Sequence, residues 1–458
     1  MGKKTVYFIL GLLAFGFRLF QELQSSIVTG VNGGYYPVQV RSILEHGHLA
    51  MDDMPFIFYV NALLVKSLAW LFPSQPLEAL IIFDIKILGA LSIPLVVIPL
   101  YKIINNYLEY KPTKLLEYSL VTFVLFSFSP LYLSAEMMKN AYAIVGFTYF
   151  LYLFLCFFKC RSVKHGVFML LTMIFIAFTH FGVFAISIIF LFIYLVSIYK
   201  VKALVPILVM AALGFLVVWW LDPFRAYNAI NIFEEWFGLP WRIAFYPAGI
   251  ASFIFSVLIS LALFFSIRND EVVAKQKQLI TIFLWFIVGL SIPLLRFELW
   301  RRFNLMLFIP QTIALLLVFP YLIASYQKKF VVLLCMVSIL SVIYNLIEPK
   351  QSSISTDSYK DLAFVADEVS NPEQTIVMVR HGLDWWIVWQ LKTKIAQSHI
   401  KVDKSMVSKY KDIMFLRQNK GHNDLYPGPG SPFFNPSVPK NSILLYKSDY
   451  FELYKRTD

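Results

Sequence analysis

The residues of this chain best suited to chemistry are charged groups gathered at the edges of long apolar runs. The richest stretch is VNGGYYPVQVRSILEHGHLAMDDMPFIFYVNALL (31–64). Its Asp52 and Asp53 are adjacent carboxylates that could act as a general base or hold a cation. An Asp just ahead of a Pro-initiated helix, here Pro55, is also a good N-cap, and two Asp residues leave room for both roles. The second group is SPLYLSAEMMKNA (129–141), in which Glu136, Lys139 and Asn140 fall at helical spacing. That pattern suits a helix-end ion pair, or a carboxylate turned toward Asp52 and Asp53. The third is LLRFELWRRFNLMLFIP (294–310), with Arg296, Arg301 and Arg302. Arginine grips phosphate with a bidentate fork, so these suit an anionic ligand; pairing with Glu298 and lipid headgroups is the plainer account. Arg225 beside Asp222 repeats the theme more weakly. His180, at the end of an apolar run, is a candidate hydrogen-bonding residue. Arg18 sits near the end of the first run, and Asp84 and Lys86 lie inside apolar sequence, where charges pair or face protein.

The elements that must position these groups are membrane helices. The 458 residues are 59% hydrophobic and 15% charged. Soluble domains carry ~45–50% apolar and ~25% charged residues, so this composition is that of a membrane protein. Apolar runs of ~18 residues or more span a hydrocarbon core of ~30 Å. They recur at residues 5–22, 78–103, 116–133, 139–158, 166–180, 182–199, 204–221, 247–267, 278–296, 304–326 and 330–347, about eleven spans. The formal charge of +12 sits in short clusters between them, as the orientation rule requires, and does not point to nucleic acid. Cys156, Cys160 and Cys335 lie in or beside apolar segments, which leaves neither a disulfide framework nor a zinc spacing. The start, MGKKTVYFILGLLAFGFRLF, lacks a small-residue cleavage site and reads as a retained first span. The absence of a usable N-x-S/T sequon is a weak pointer to a bacterial inner membrane.

Lys3 and Lys4 and five later basic connections all fall on one, cytoplasmic, side if residues 55–72 lie in the interface rather than crossing, and Asn61 and Lys66 at their centre suit that. The outer face then receives the long first loop (23–77), the turn 134–140, the loops 222–246 and 296–304, and a domain formed by the last ~110 residues (349–458), which read as ordinary soluble sequence. Residues 1–348 form the transmembrane domain. In the first loop Pro37 starts a helix that ends near Gly47, and a second helix follows Pro55. The C-terminal domain reads as small α/β: a helix near 357–369, a strand at 375–379, a helix near 383–395, strands near 412–416 and 442–446, and a Pro/Gly-rich loop at 426–439. Trp385, Trp386 and Trp389 could bind a sugar ring or lipid, though such aromatics usually pack a core. No internal repeat is visible.

This pattern resembles the GT-C superfamily of polyprenyl-phosphate-dependent glycosyltransferases, which includes protein mannosyltransferases, lipid A aminoarabinose transferases and oligosaccharyltransferases. The shared features are a cytoplasmic N-terminus, Arg18 near the end of span one, a first external loop with two juxtamembrane helices, the carboxylate Glu136, the outward arginines of 296–302 and an outer C-terminal domain. The resemblance implies a mainly α, polytopic helical bundle with a small α/β domain. It implies an inverting transferase that moves a sugar from a polyprenyl-phosphate donor to a lipid, glycan or protein acceptor outside. The family usually carries its catalytic Asp just after span one, where this chain has Asn32. Asparagine cannot accept a proton, so either the role has moved to Asp53, with Asp52, and Glu136 as partner, or activity is altered or absent. Candidate substrate-binding residues are Arg296, Arg301, Arg302, Asn32, Tyr36, Arg41, Lys139, Asn140, His180 and Arg225. A divalent cation is compatible with the carboxylates, but no spacing indicates one. The rival readings are a lipid-linked-sugar transporter, which would show repeated halves and midplane polar groups, and a catalytically silent GT-C-like scaffold, for which Asn32 speaks.

Overall fold

A computed structural model of the chain describes residues 2–108, 110–203, 205, 212, 216, 219, 247–292, 297–349, 351–398, 400–421 and 434–457. Among the described residues up to Ile347 the elements are helices, and a small sheet domain follows. Among the described residues seven helices are long and apolar enough to cross a membrane: Lys3–Leu23, Leu77–Tyr107, Lys114–Glu136, Met138–Cys160, Phe181–Tyr199, Gly249–Arg268 and Ala324–Ile347. Shorter apolar helices cover Phe56–Leu71, Val163–Thr179 and Phe308–Tyr321. The expected span at 204–221 lies largely outside the described residues.

The chain folds into two compact units. One comprises Met1–Phe15, Ser92–Ser134 and Lys139–Ile347; the other comprises Gly16–Leu91, Ala135–Met138 and Glu348–Asp458. The second unit therefore gathers the long loop after the first span, a four-residue piece around Glu136 and the whole C-terminal domain.

Local chemistry explains most helix limits. Thr113 caps the helix Lys114–Phe126 by accepting from Leu116 N at 3.3 Å. In the run Leu77–Tyr107, Pro94 and Pro99 supply no N–H, and the α-helix gives way to a 3-10 turn at Pro94–Val96 and a π-helical turn at Ile103–Tyr107. The first-loop helices form where the sequence placed them, at Tyr35–His46 and Phe56–Leu71. Gly47 ends the former in the left-handed conformation (φ 79°), its N–H returning to Ile43 O at 3.0 Å.

Three expectations need correction. The loop expected at 296–304 is helical from Phe297 to Met306, because its apolar residues recur at helical spacing beside Arg301 and Arg302. The expected turn 134–140 shrinks to Met137, since one helix runs to Glu136 and the next starts at Met138. The helix expected to reach residue 395 stops at Leu391, where Lys392 turns left-handed (φ 56°), and Lys394–Gln397 is a strand.

The C-terminal sheet contains β1 (Thr375–Val379), β2 (Lys394–Gln397), β3 (Asp412–Gln418), β4 (Ser442–Lys447) and β5 (Phe451–Arg456), in the order β2-β1-β3-β5-β4. β1 pairs in parallel with β2 and β3, while β5 runs antiparallel to β3 and β4. Every residue of β1 is buried, as expected of a central parallel strand covered on both faces. β2, β5 and the short helix Lys404–Lys409 were not legible in the sequence. The helix Thr356–Asp367 is capped by Ser355, which accepts from Ser358 N at 3.1 Å.

Candidate active site

Within the second unit the first loop is built around buried polar contacts. Asp53 is half-buried, and its Oδ2 accepts from the Tyr35 hydroxyl while its Oδ1 accepts from Met54 N at 2.7 Å. Gln39, fully buried, clamps the same segment. Its Nε2 donates to Tyr35 Oη at 3.1 Å and to Met51 O at 3.0 Å, and its Oε1 accepts from Ala50 N at 2.9 Å. The helix Tyr35–His46 thus holds the acidic pair at a set height through two of its own side chains, Tyr35 and Gln39. Burial, then the charge of Asp53 and the hydrogen bond to it, push the Tyr35 hydroxyl well above the usual tyrosine range, so it stays a proton donor to the carboxylate.

Asp52 and Asp53 do not cap the following helix. Pro55 occupies that helix's N-cap position without a side-chain cap bond, and Asp53 is committed to Tyr35 and Met54 instead. Asp52 is exposed.

Glu136 is buried, and its Oε2 accepts from Val31 N at 3.0 Å, the residue directly before Asn32. Gly30 makes this approach feasible. Its φ is +88°, and a Cβ there would lie 2.9 Å from Glu136 Oε2 and from Ala135 O. Gly30 N also donates to Gln351 O at 3.0 Å, tying the turn to the start of the C-terminal segment. Asn32 is exposed in that turn, and its carbonyl accepts from Tyr35 N at 3.0 Å.

A second polar cluster lies at the end of the first span. The Arg18 guanidinium, 1% exposed, donates to Gln21 Oε1 at 2.5 Å and to Glu22 Oε1 at 2.6 Å. Thr29 Oγ1 donates to the Glu22 carboxylate at 2.8 Å, and Lys86 Nζ donates to Ser25 O. Arg18 is thereby engaged as an ion pair, with the Glu136 charge acting on it as well. Sequence reading missed Glu22, although its i,i+4 spacing from Arg18 is a signal that could have found it. Gln39, Tyr35 and Thr29 carried no such signal.

The other candidates are dispersed. Tyr36 is buried against the Tyr35 and Phe58 rings. Arg41 is buried and points its guanidinium at a helix end: Nη1 donates to Trp389 O at 2.6 Å and Nη2 to Val388 O at 3.0 Å, with its Cζ 4.5 Å from the Trp389 ring centre. These carbonyls belong to the last turn of the helix Asp384–Leu391, where Val388 O also accepts from Lys392 N at 3.2 Å, so Arg41 supplies it with a second donor. Arg41 therefore fastens the first loop to the C-terminal domain rather than facing a ligand. Trp386 and Trp389 are buried, as core aromatics, and Trp385 meets the Tyr35 ring edge-on at 4.8 Å.

In the other unit, Lys139 and Asn140 open the helix Met138–Cys160, with Asn140 buried. His180 is the N-cap of Phe181–Tyr199, its Nδ1 accepting from Val183 N at 3.2 Å. Arg301 and Arg302 lie on the helix Phe297–Met306, and Arg302 is exposed. Arg296 and Arg225 lie outside the described residues. Among the described residues no three of His, Cys, Asp and Glu come together as a metal site.

No family model matches the sequence, and neither does any curated protein. Solved structures do match. The oligosaccharyltransferase of Archaeoglobus fulgidus in its apo form aligns with a TM-score of 0.60 at 11% identity, over 90% of this chain and 70% of its own. The same organism's oligosaccharyltransferase AglB, solved with an inhibitory peptide and a dolichol-phosphate, gives 0.58 at 10% identity over 90% and 69%. ArnT of Cupriavidus metallidurans, solved with undecaprenyl phosphate, gives 0.54 at 13% identity over 98% of this chain and 97% of ArnT. The expected architecture of a membrane helical bundle with a small C-terminal sheet domain is thus the one found, and the protein has the GT-C fold.

Proposed function

We propose that this protein transfers a sugar from a polyprenyl-phosphate donor to an acceptor hydroxyl at the outer face of a membrane, with inversion at the anomeric carbon. The observation that carries the reading is the near end-to-end fold match to ArnT, whose structure holds undecaprenyl phosphate. In this reading Asp53 takes the proton from the acceptor hydroxyl. The freed oxygen attacks the anomeric carbon, the bond from that carbon to the phosphate oxygen breaks, and polyprenyl phosphate leaves with the electron pair. A positioned base of this kind contributes ~10²–10⁴ in rate. Tyr35 and Gln39 keep the carboxylate oriented, and Glu136 holds the turn at Val31–Asn32 that borders the same loop.

Charge developing on the leaving phosphate calls for fixed cations, and Arg301, Arg302 and Arg296 are assigned to it. A divalent cation is compatible with Asp52 and Asp53, since Mg²⁺ takes one or two carboxylates together with substrate phosphates, but no spacing indicates one and no step is assigned to a metal. Lys139, Asn140, Asn32, His180 and Arg225 are kept as candidates for contacts to donor or acceptor. The charge distribution supports a cytoplasmic N-terminus and an outer C-terminal domain, and the lack of a usable sequon is what points to a bacterial inner membrane.

The test is transfer of labelled sugar from polyprenyl-phosphate donors by the purified full-length protein, beside Asp53→Asn, Asp52→Asn and Glu136→Gln variants of verified fold. The reading expects Asp53→Asn to lose transfer by at least ~100-fold while still binding donor. Unchanged transfer in that variant would remove Asp53 from the chemistry. Absence of transfer from any donor, with lipid phosphate still bound, would favour the silent scaffold and make Asn32 the reason. Movement of labelled lipid across a bilayer without sugar transfer would favour the transporter.

A further inference from the structure

Within the unit that holds most of the membrane helices, a break between two helices carries buried polar side chains that no role described so far uses. The helix Phe297–Met306 stops, Leu307 forms a turn, and the helix Phe308–Val318 begins. Pro310 helps to enforce the interruption. It has no N–H, so the bond that a continuous helix would send from residue 310 to Met306 O cannot form.

Both half-helices meet the helix Pro247–Arg268 through polar contacts. Ser252 Oγ donates to Asn304 O at 2.5 Å. Gln311 Nε2 donates to Ser252 O at 3.1 Å and to Ser256 Oγ at 2.7 Å. Ser256 Oγ donates in turn to Ser252 O at 3.0 Å, and Asn304 Nδ2 donates to Trp300 O at 2.9 Å. These bonds fix how the two amides point, because a backbone carbonyl can only accept and must therefore face the amide nitrogen. The amide oxygens point elsewhere. Asn304 Oδ1 and Gln311 Oε1 receive no hydrogen bond from any described residue, although Asn304 is fully buried and Gln311 is 1% exposed. Buried acceptors of this kind ordinarily have a partner.

The inventory of the group says what kind of partner fits. Each of its donor atoms is engaged within the protein, and the surplus consists of acceptors. A water molecule would donate to both oxygens but bring lone pairs for which no donor is left, whereas buried waters make about three hydrogen bonds. A sugar hydroxyl meets the same difficulty. A cation brings positive charge alone. Divalent ions ordinarily take carboxylates, and Glu298 is the only one that these three helices carry. Its formal charge is cancelled by Arg301, while Arg302 is exposed and Arg268 lies at the far end of its helix. The carbonyl end of Phe297–Met306, the negative end of its dipole, terminates at the break. Half-helix carbonyl ends with neutral oxygens are how broken membrane helices hold Na⁺.

We propose that the break at Leu307 binds a monovalent cation, Na⁺ or K⁺, through Asn304 Oδ1, Gln311 Oε1 and the carbonyl end of Phe297–Met306. The bound ion joins the two half-helices and steadies the one that carries Arg301 and Arg302. The site stands or falls apart from the sugar-transfer reading, because its test reads ion binding and not activity.

The experiment measures retention of radioactive Na⁺ by the purified full-length protein in choline chloride, with unlabelled NaCl or KCl as competitor. Melting is recorded beside it in the three salts at equal ionic strength. Saturable binding of one of the two ions is expected, the better competitor identifying it, with melting raised by about 3 °C at ten times the dissociation constant. Gln311→Leu keeps the volume and removes the oxygen, and should weaken binding at least about tenfold. Asn304→Asp keeps the oxygen and adds a negative charge, and should tighten binding about tenfold, which gives a second reading where the leucine variant does not fold. Absence of retention together with identical melting in all three salts overturns the proposal, since water then suffices. Undiminished binding in folded Gln311→Leu overturns it too, as does Asn304→Asp binding no more tightly than wild type.

Discussion

Truncating Arg41 to alanine should loosen the docking of the first loop on the C-terminal domain and leave donor recognition intact. The guanidinium makes two charge-assisted hydrogen bonds, at 2.6 and 3.0 Å, to carbonyls in the last turn of Asp384–Leu391, and it stacks on Trp389 at 4.5 Å. Hydrogen bonds from a charged donor contribute ~1.5–3 kcal/mol each. The ring contact adds ~0.5–1 kcal/mol, and a cation at a helix C-terminus adds ~0.3–1 kcal/mol. Water entering the space left by the side chain recovers part of this by solvating Val388 O and Trp389 O. The net cost expected is about 3 kcal/mol, equivalent to about a 100-fold faster local opening. Amide hydrogen exchange of residues 384–392 in the detergent-solubilised protein reads that opening directly. Arg41→Lys should recover little, because a single ammonium cannot span both carbonyls with the geometry of a fork. If exchange in this helix is unchanged in Arg41→Ala while affinity for a polyprenyl-phosphate probe falls, the residue serves the ligand and the docking argument fails.

Gly34→Ala should destabilise the same contact by ~1–3 kcal/mol, the usual range for overpacking, because its Cβ would lie 2.9 Å from the backbone carbon of Trp385 and the nitrogen of Trp386, neither of which can rotate away. A melting curve no lower than wild type would show that the helix Asp384–Leu391 gives way more easily than its packing implies. Tyr35 yields a pH prediction. Its hydroxyl is held above its usual value by burial and by Asp53, so its stabilising contribution is full below roughly pH 10 and is lost as pH rises toward the folded-state value. Thermal stability should accordingly fall less steeply above pH 10 in Tyr35→Phe than in wild type, and identical slopes would count against the assigned proton.

The parts of the fold that sequence made legible are those with local causes. The membrane helices follow from apolar run length, and the helix Tyr35–His46 ends at Gly47 because that glycine takes φ 79° at modest cost. β1 fell where TIVMV placed it, since a short apolar, β-branched run reads as a covered strand. The weaker readings share a different cause. The stretch 394–397, KIAQ, carries no alternation strong enough to outcompete the preceding helical pattern, so the helix was extended through it. Asp53 looked like a cap because capping depends on neighbours in sequence. Its actual partner, Tyr35, is 18 residues away and is brought to it by the reversal at Gly47.

Sequence alone determined that this is a membrane protein with charged groups at the rims of its spans, because hydropathy and charge spacing act residue by residue. It also supplied the GT-C resemblance, through the order of loops and carboxylates. Tertiary structure alone decided which of those groups meet. Glu136 reaches Val31 across 105 positions, and Arg41 reaches Trp389 across 348. The same residue types would have served equally as ligands to a sugar phosphate. What assigns Arg41 to a helix end is that a buried guanidinium must satisfy its donors, and the carbonyls that accept them, Val388 O and Trp389 O, are brought within reach only by the folded chain.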